Sequence, residues 1–69
     1  MVEIFKTDVE DQRQAKQILT ILRSRFPAFQ VNFDLQDCDK ILRVKGEHIP
    51  VDEIISLVST SGFYCSLLN

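Results

Sequence analysis

Between Phe29 and Gln36 the chain alternates strictly, with Phe29, Val31, Phe33 and Leu35 apolar and Gln30, Asn32, Asp34 and Gln36 polar. Successive side chains of a strand point to opposite faces, so this spacing predicts a strand with one buried face and one wet face. Upstream, Ala15, Ile18, Leu19, Leu22 and Phe26 recur at helical spacing, with Ile21 widening the stripe. That is the pattern of an amphipathic helix. Pro27 ends it, because the residue before a proline is pushed away from helical dihedrals. Val2 to Thr7 reads as an opening strand in which Val2 and Ile4 share one face and Glu3, Phe5 and Thr7 the other. Between strand and helix, Asp8 is placed to cap with Asp11 three residues on, and Thr7 with Glu10 forms an overlapping capping-box pattern. Arg23 and Arg25 near the helix end suit its dipole.

Downstream, Asp37-Cys38-Asp39 is turn-forming, and Lys40 to Lys45 reads as the returning strand of a hairpin. Leu42 and Val44 are expected to face the core, and Ile41, Arg43 and Lys45 to face outward. Gly46 to Ile49 forms a loop, and Pro50 fits the first position of a second helix, where a missing N–H is no loss. Val51, Ile54, Ile55 and Val58 supply that helix's apolar stripe, with Leu57 beside it and Asp52 and Glu53 in its first turn. Gly62 suits the left-handed cap that ends it. Phe63 to Leu68 makes a last short strand.

The order is strand, helix, strand, strand, helix, strand. Right-handed crossovers then favour one four-stranded antiparallel sheet with both helices on one face, an α+β fold of the ferredoxin-like split type. The first and third strands are central, in the order fourth, first, third, second. The turn after the first strand, the hairpin turn at Cys38 and the turn at Gly62 all fall at one end. Sixty-nine residues make a single domain over 1–69 with a modest core.

Composition narrows the function. The chain is 45% hydrophobic and 26% charged, ordinary for a folded domain. A net charge of −2 argues against generic nucleic-acid binding, and no apolar run approaches a membrane span. The expected setting is cytoplasmic, which keeps Cys38 and Cys65 reduced. Two distant cysteines make neither a disulfide framework nor a four-cysteine zinc site.

The element order, the helix pattern Ala15…Ile18…Leu22, and the run Ile54-Ile55-Ser56-Leu57-Val58 followed by Gly62-Phe63 together resemble the heavy-metal-associated domains, the small copper-chaperone-like modules. The resemblance covers nearly the whole chain. In that family a C-x-x-C pair in the turn after the first strand binds soft metal. Here the pair would fall at Asp11 and Gln14, and the methionine often found before it at Val9. Thiolates select Cu(I) and Zn over harder ions, so the resemblance implies the fold without the family's metal chemistry.

Candidate sites follow from the topology. Asp8, Glu10, Asp11, Asp37 and Asp39 gather at the shared end, where carboxylates suit Ca²⁺, Mg²⁺ or Mn²⁺. Neither turn has the glycine of a calcium loop, and each acid also reads as a cap or turn former. Cys38 reads as an exposed thiol and Cys65 as a small core residue. His48, the one histidine, sits in a loop at the opposite end with no catalytic neighbour. Phe5, Ile41, Tyr64 and Leu68 are expected to point away from the helices on adjacent strands. A contiguous apolar patch on a small domain marks a protein contact.

The sequence thus reads as a small non-enzymatic interaction module. It takes no cofactor, nucleic acid or membrane, and contacts a protein or a second copy of itself through Phe5, Ile41, Tyr64 and Leu68. The alternatives are hard-cation or metal-related binding at Glu10, Asp11, Asp37 and Asp39, and RNA binding on the open sheet face. The RNA reading lacks outward aromatics on the third strand.

Overall fold

In the computed structural model, which describes residues 1–68, β1 (Val2–Thr7) is followed by α1 (Gln12–Arg25), β2 (Gln30–Asp34), β3 (Ile41–Lys45), α2 (Val51–Thr60) and β4 (Cys65–Leu67). The strands form one antiparallel sheet in the order β2-β3-β1-β4. This is the ferredoxin-like α+β arrangement that the element order predicts. Both helices lie on one face. Ala15, Ile18 and Leu22 of α1 and Ile54 and Val58 of α2 share a core with Phe5, Val31, Leu42, Val44 and Cys65 of the sheet. No helix among the described residues is long and apolar enough to cross a membrane.

The phase of β1 is the reverse of the one expected for the contact surface. Phe5 is 0% exposed and pairs in register with Leu42, itself fully buried on the helix side. The same parity continues through Thr7 to Val9, both buried. Phe5 therefore belongs to the core, and Val2 and Ile4 take the open side. A second correction concerns Ile41. The pleat puts it on the open side with Arg43, outside the core cluster, yet it is 5% exposed and offers a partner almost no surface.

Local chemistry explains the element ends. Asp11, not Asp8, caps α1: its side chain accepts from the Gln14 N–H at 2.9 Å, while the Gln14 side-chain Oε1 accepts from the Glu10 N–H at 2.9 Å. This reciprocal pair satisfies two donors next to the helix start, close to a capping box one residue early. Asp8 instead accepts from the Tyr64 N–H at 2.8 Å, tying the β1–α1 loop to the start of β4. That bond and the closure of α2 shorten β4 relative to the expected Phe63–Leu68. The Gly62 N–H donates to Ser59 and the Phe63 N–H to Val58, with Gly62 at φ +98. These are the two bonds of a Schellman motif, whose left-handed position favours glycine. Pro50 precedes the first residue of α2 as its cap instead of occupying the first turn.

Thr7 fastens β1 to the β2–β3 hairpin. Its hydroxyl donates to the Lys40 carbonyl at 2.6 Å and accepts from the Val9 N–H at 3.2 Å, and its own N–H donates to the Asp39 carbonyl at 3.1 Å. Lys40 sits at φ +47, so β3 starts at Ile41, one residue later than the hydropathy pattern implies. At the other end, Gly46 is required by space. A Cβ there would lie 2.4 Å from Cδ1 of Phe29, whose ring stacks on Phe26 at a centroid distance of 5.2 Å.

Candidate protein-contact face

The open face of the sheet is a grid whose rows are fixed by strand register. One end row carries Gln30, Lys45 and Val2. The next carries Asn32, Arg43, Ile4 and Leu68, closed by the Leu68 N–H donating to the Ile4 carbonyl at 2.8 Å. The third carries Asp34, Ile41, Lys6 and Ser66. Beyond it lie Asp39, Asp8 and Tyr64, at the end where the β1–α1 loop, the hairpin turn and the α2–β4 turn meet.

Two gradients cross this grid. Across the strands, the exposed apolar side chains are on the β1–β4 half, with Val2 49% and Leu68 38% exposed beside half-buried Ile4, and Tyr64, 55% exposed, beyond the Lys6–Ser66 row. The β2–β3 half is polar, and there Arg43 donates to the Asn32 side chain at 3.2 Å. Along the strands, the Lys45–Arg43 end is basic and the Asp8–Asp39 end acidic, with Lys6 Nζ 3.7 Å from Asp39 Oδ1 between them. Tyr64 and Leu68 thus lie where the sequence places them, whereas Phe5 and Ile41 do not contribute. Val2 and Ile4 were missed. The signal that could have found them is Val9, which extends the buried parity of Phe5 and Thr7 past the end of the strand.

On the helix side the surface is different. A groove between the helices is lined by Thr20, Ile21, Ser24, Arg25 and Leu57, and Ile21 is the one large apolar side chain there that is well exposed among the described residues.

The acidic end gathers less than the sequence implies. Ligand atoms of Asp37, Cys38 and Asp39 come within 4.8 Å of one another, and Glu10 and Asp11 are not part of that group. Asp11 is occupied as a helix cap. Asp37 accepts the Asp39 N–H at 2.8 Å, and Lys40 closes the turn onto the Asp37 carbonyl at 3.0 Å. These carboxylates build a turn.

The two thiols differ in kind. Cys38 is exposed on the turn and Cys65 is buried on the helix side of β4. Burial pushes the Cys65 thiol up from its ordinary 9.0 to about 11. The native fold holds this proton more tightly than the unfolded chain, so the stabilisation is fully present below pH 9.0 and is lost as pH rises towards 11. A thiol reagent at neutral pH should therefore modify Cys38 rapidly in the native protein and reach Cys65 only in denaturant. Stability should also fall less between pH 9 and 11 in Cys65→Ala than in the parent chain. Equal reactivity of both thiols without denaturant would place Cys65 outside the core.

Compared with protein-family models, curated protein sequences and solved structures, the chain matches none of them.

Proposed function

We propose that this chain is a small non-enzymatic interaction module that contacts a protein through the open face of its sheet. It uses a heavy-metal-associated-like scaffold on which the thiolate pair is replaced by Asp11 and Gln14, both committed to capping α1. A cytoplasmic setting belongs to the same reading. The observation that carries it is the clustering of exposed apolar side chains. Of the five well-exposed large hydrophobics among the described residues, Val2, Tyr64 and Leu68 fall on this one face, Val2 and Leu68 beside Ile4 and Tyr64 one row beyond Lys6 and Ser66. Isolated apolar residues are ordinary on a surface, but a contiguous group on a small domain is the mark of a contact.

The test is co-purification of the tagged domain from its native cell, with Leu68→Asp compared against Lys16→Asp on the exposed side of α1. Both positions are exposed, so both variants should fold, with stability within about 1 kcal/mol of the parent. Leu68→Asp should lose the co-purifying species and Lys16→Asp should keep it. Retention by Leu68→Asp, or loss by Lys16→Asp, would remove the open face as the contact.

A further inference from the structure

β2 is one edge of the sheet, and its outer side has backbone groups to offer. The Gly46 N–H donates to the Met1 carbonyl, and the ladder alternates from there. Val44 and Leu42 therefore turn their backbone groups to β1, while Lys45, Arg43 and Ile41 turn theirs to β2. Their partners Gln30, Asn32 and Asp34 are satisfied, which leaves Val31 and Phe33 with N–H and C=O directed outward. Among the described residues, the hydrogen bond that reaches these groups is the one Arg23 donates to the Val31 carbonyl. At 3.4 Å it is long for its type. Arg23 is itself exposed, so this cover is a side chain that can swing away. The other edge, β4, is only three residues long, and its Cys65 is 7% exposed. Short strands are one way a sheet protects an edge, and β2 lacks that protection.

A cleft of about 570 Å³ runs beside the β2 edge, lined by Arg23, Pro27, Phe29, Gln30, Val31 and Asn32. Its charge is one-sided. α1 carries Arg13, Lys16, Arg23 and Arg25 and no acid. Arg25 is held by Glu53 at 2.6 Å, whereas Arg23 makes no ion pair among the described residues. On the open-face side, Arg43 and Lys45 are the register neighbours of Asn32 and Gln30. The first half of β2 is thus flanked by cations on both of its faces.

We infer that the β2 edge takes up an extended, acidic segment of another polypeptide, which adds as a further strand on Val31 and Phe33 with a carboxylate on Arg23. Donors and acceptors alternate along this edge, and an incoming strand answers both. Its N–H replaces Arg23 at the Val31 carbonyl, and the freed guanidinium gains a carboxylate, a stronger charge-assisted partner. The phosphates of a nucleic acid answer the N–H groups and the guanidinium but bring no donor to the Phe33 carbonyl. The site lies apart from Val2, Ile4 and Leu68, so it neither requires nor tests the open face as a contact.

The experiment titrates the intact chain into labelled synthetic peptides, one alternating valine with glutamate and one alternating valine with glutamine. Amide hydrogen exchange is followed in the complex. The glutamate peptide should bind saturably and about tenfold more tightly than the glutamine peptide. It should slow exchange at the Val31 and Phe33 amides and leave Cys65 and Leu67 on the other edge unchanged. Arg23→Gln should abolish the preference for glutamate, whereas Lys16→Gln, the same loss of charge away from the cleft, should keep it. Circular dichroism checks that each variant folds. Absence of saturable binding, or a glutamate preference that survives in Arg23→Gln, overturns the acidic segment. Binding without protection of Val31 and Phe33 overturns strand addition at this edge. A single-stranded RNA oligomer that binds more tightly than the glutamate peptide and displaces it overturns a polypeptide as the occupant.

Discussion

Phe5→Asp should unfold the chain. The ring is 0% exposed, central in the sheet, and in register with the equally buried Leu42. Truncating a buried phenylalanine to alanine already costs about 3–5 kcal/mol through lost transfer energy and the cavity left behind. A domain of 69 residues holds in total only roughly 3–10 kcal/mol, at about 0.05–0.15 kcal/mol per residue. Aspartate adds a carboxylate with no partner in that cavity, at a further cost of several kcal/mol. Far-UV circular dichroism and urea titration at 25 °C should show no folded baseline for Phe5→Asp, whereas Ile4→Asp, one residue away on the open side, should keep a cooperative transition. A folded Phe5→Asp beside an unfolded Ile4→Asp would mean that the strand is turned the other way.

Thr7→Val carries the second large effect. The substitution keeps the side-chain shape and removes one hydroxyl, which donates to the Lys40 carbonyl at 2.6 Å and accepts from the Val9 N–H at 3.2 Å. Thr7 is 4% exposed, so both backbone groups lose their partner where water reaches poorly. Each buried group left unpaired costs about 1–3 kcal/mol, giving about 2–6 kcal/mol for the pair. Thr7→Ser should recover most of the loss, because the hydroxyl is what matters. Urea midpoints of the three proteins read this directly, and a Thr7→Val midpoint equal to the parent's would show that the hydroxyl does not fasten β1 to the hairpin.

The difference between legible and illegible parts of the fold has a simple physical form. β2 could be read because its two faces differ in every residue from Gln30 to Asp34. The helices could be read because their apolar stripes are continuous. β1 could not be phased, since Val2 and Ile4 compete with Phe5, and Thr7 looks polar although its hydroxyl is satisfied inside the fold. The deciding residue, Val9, lies beyond the strand.

The sequence places the cap of α1 at Asp8, with Thr7 and Glu10 as the overlapping pattern, whereas Asp11 caps it. What separates them is the Tyr64 N–H, 56 residues away, which takes Asp8 out of competition. No local pattern contains that bond. The open face was legible on β4, where Cys65 and Leu67 alternate with Tyr64 and Leu68. The acidic end was legible as composition but not as geometry, because Asp11 belongs to a helix cap and Asp37 to a turn.

The claim that the open face is where this protein makes contact is tested most directly by a photo-cross-linking side chain placed at single positions in the native cell. Ser66 on the open face and Gln17 on the exposed side of α1 are the two positions to compare. The account predicts a discrete adduct from Ser66, with either a second copy of the chain or one other protein, and none from Gln17. Adducts from Gln17 alone would contradict it.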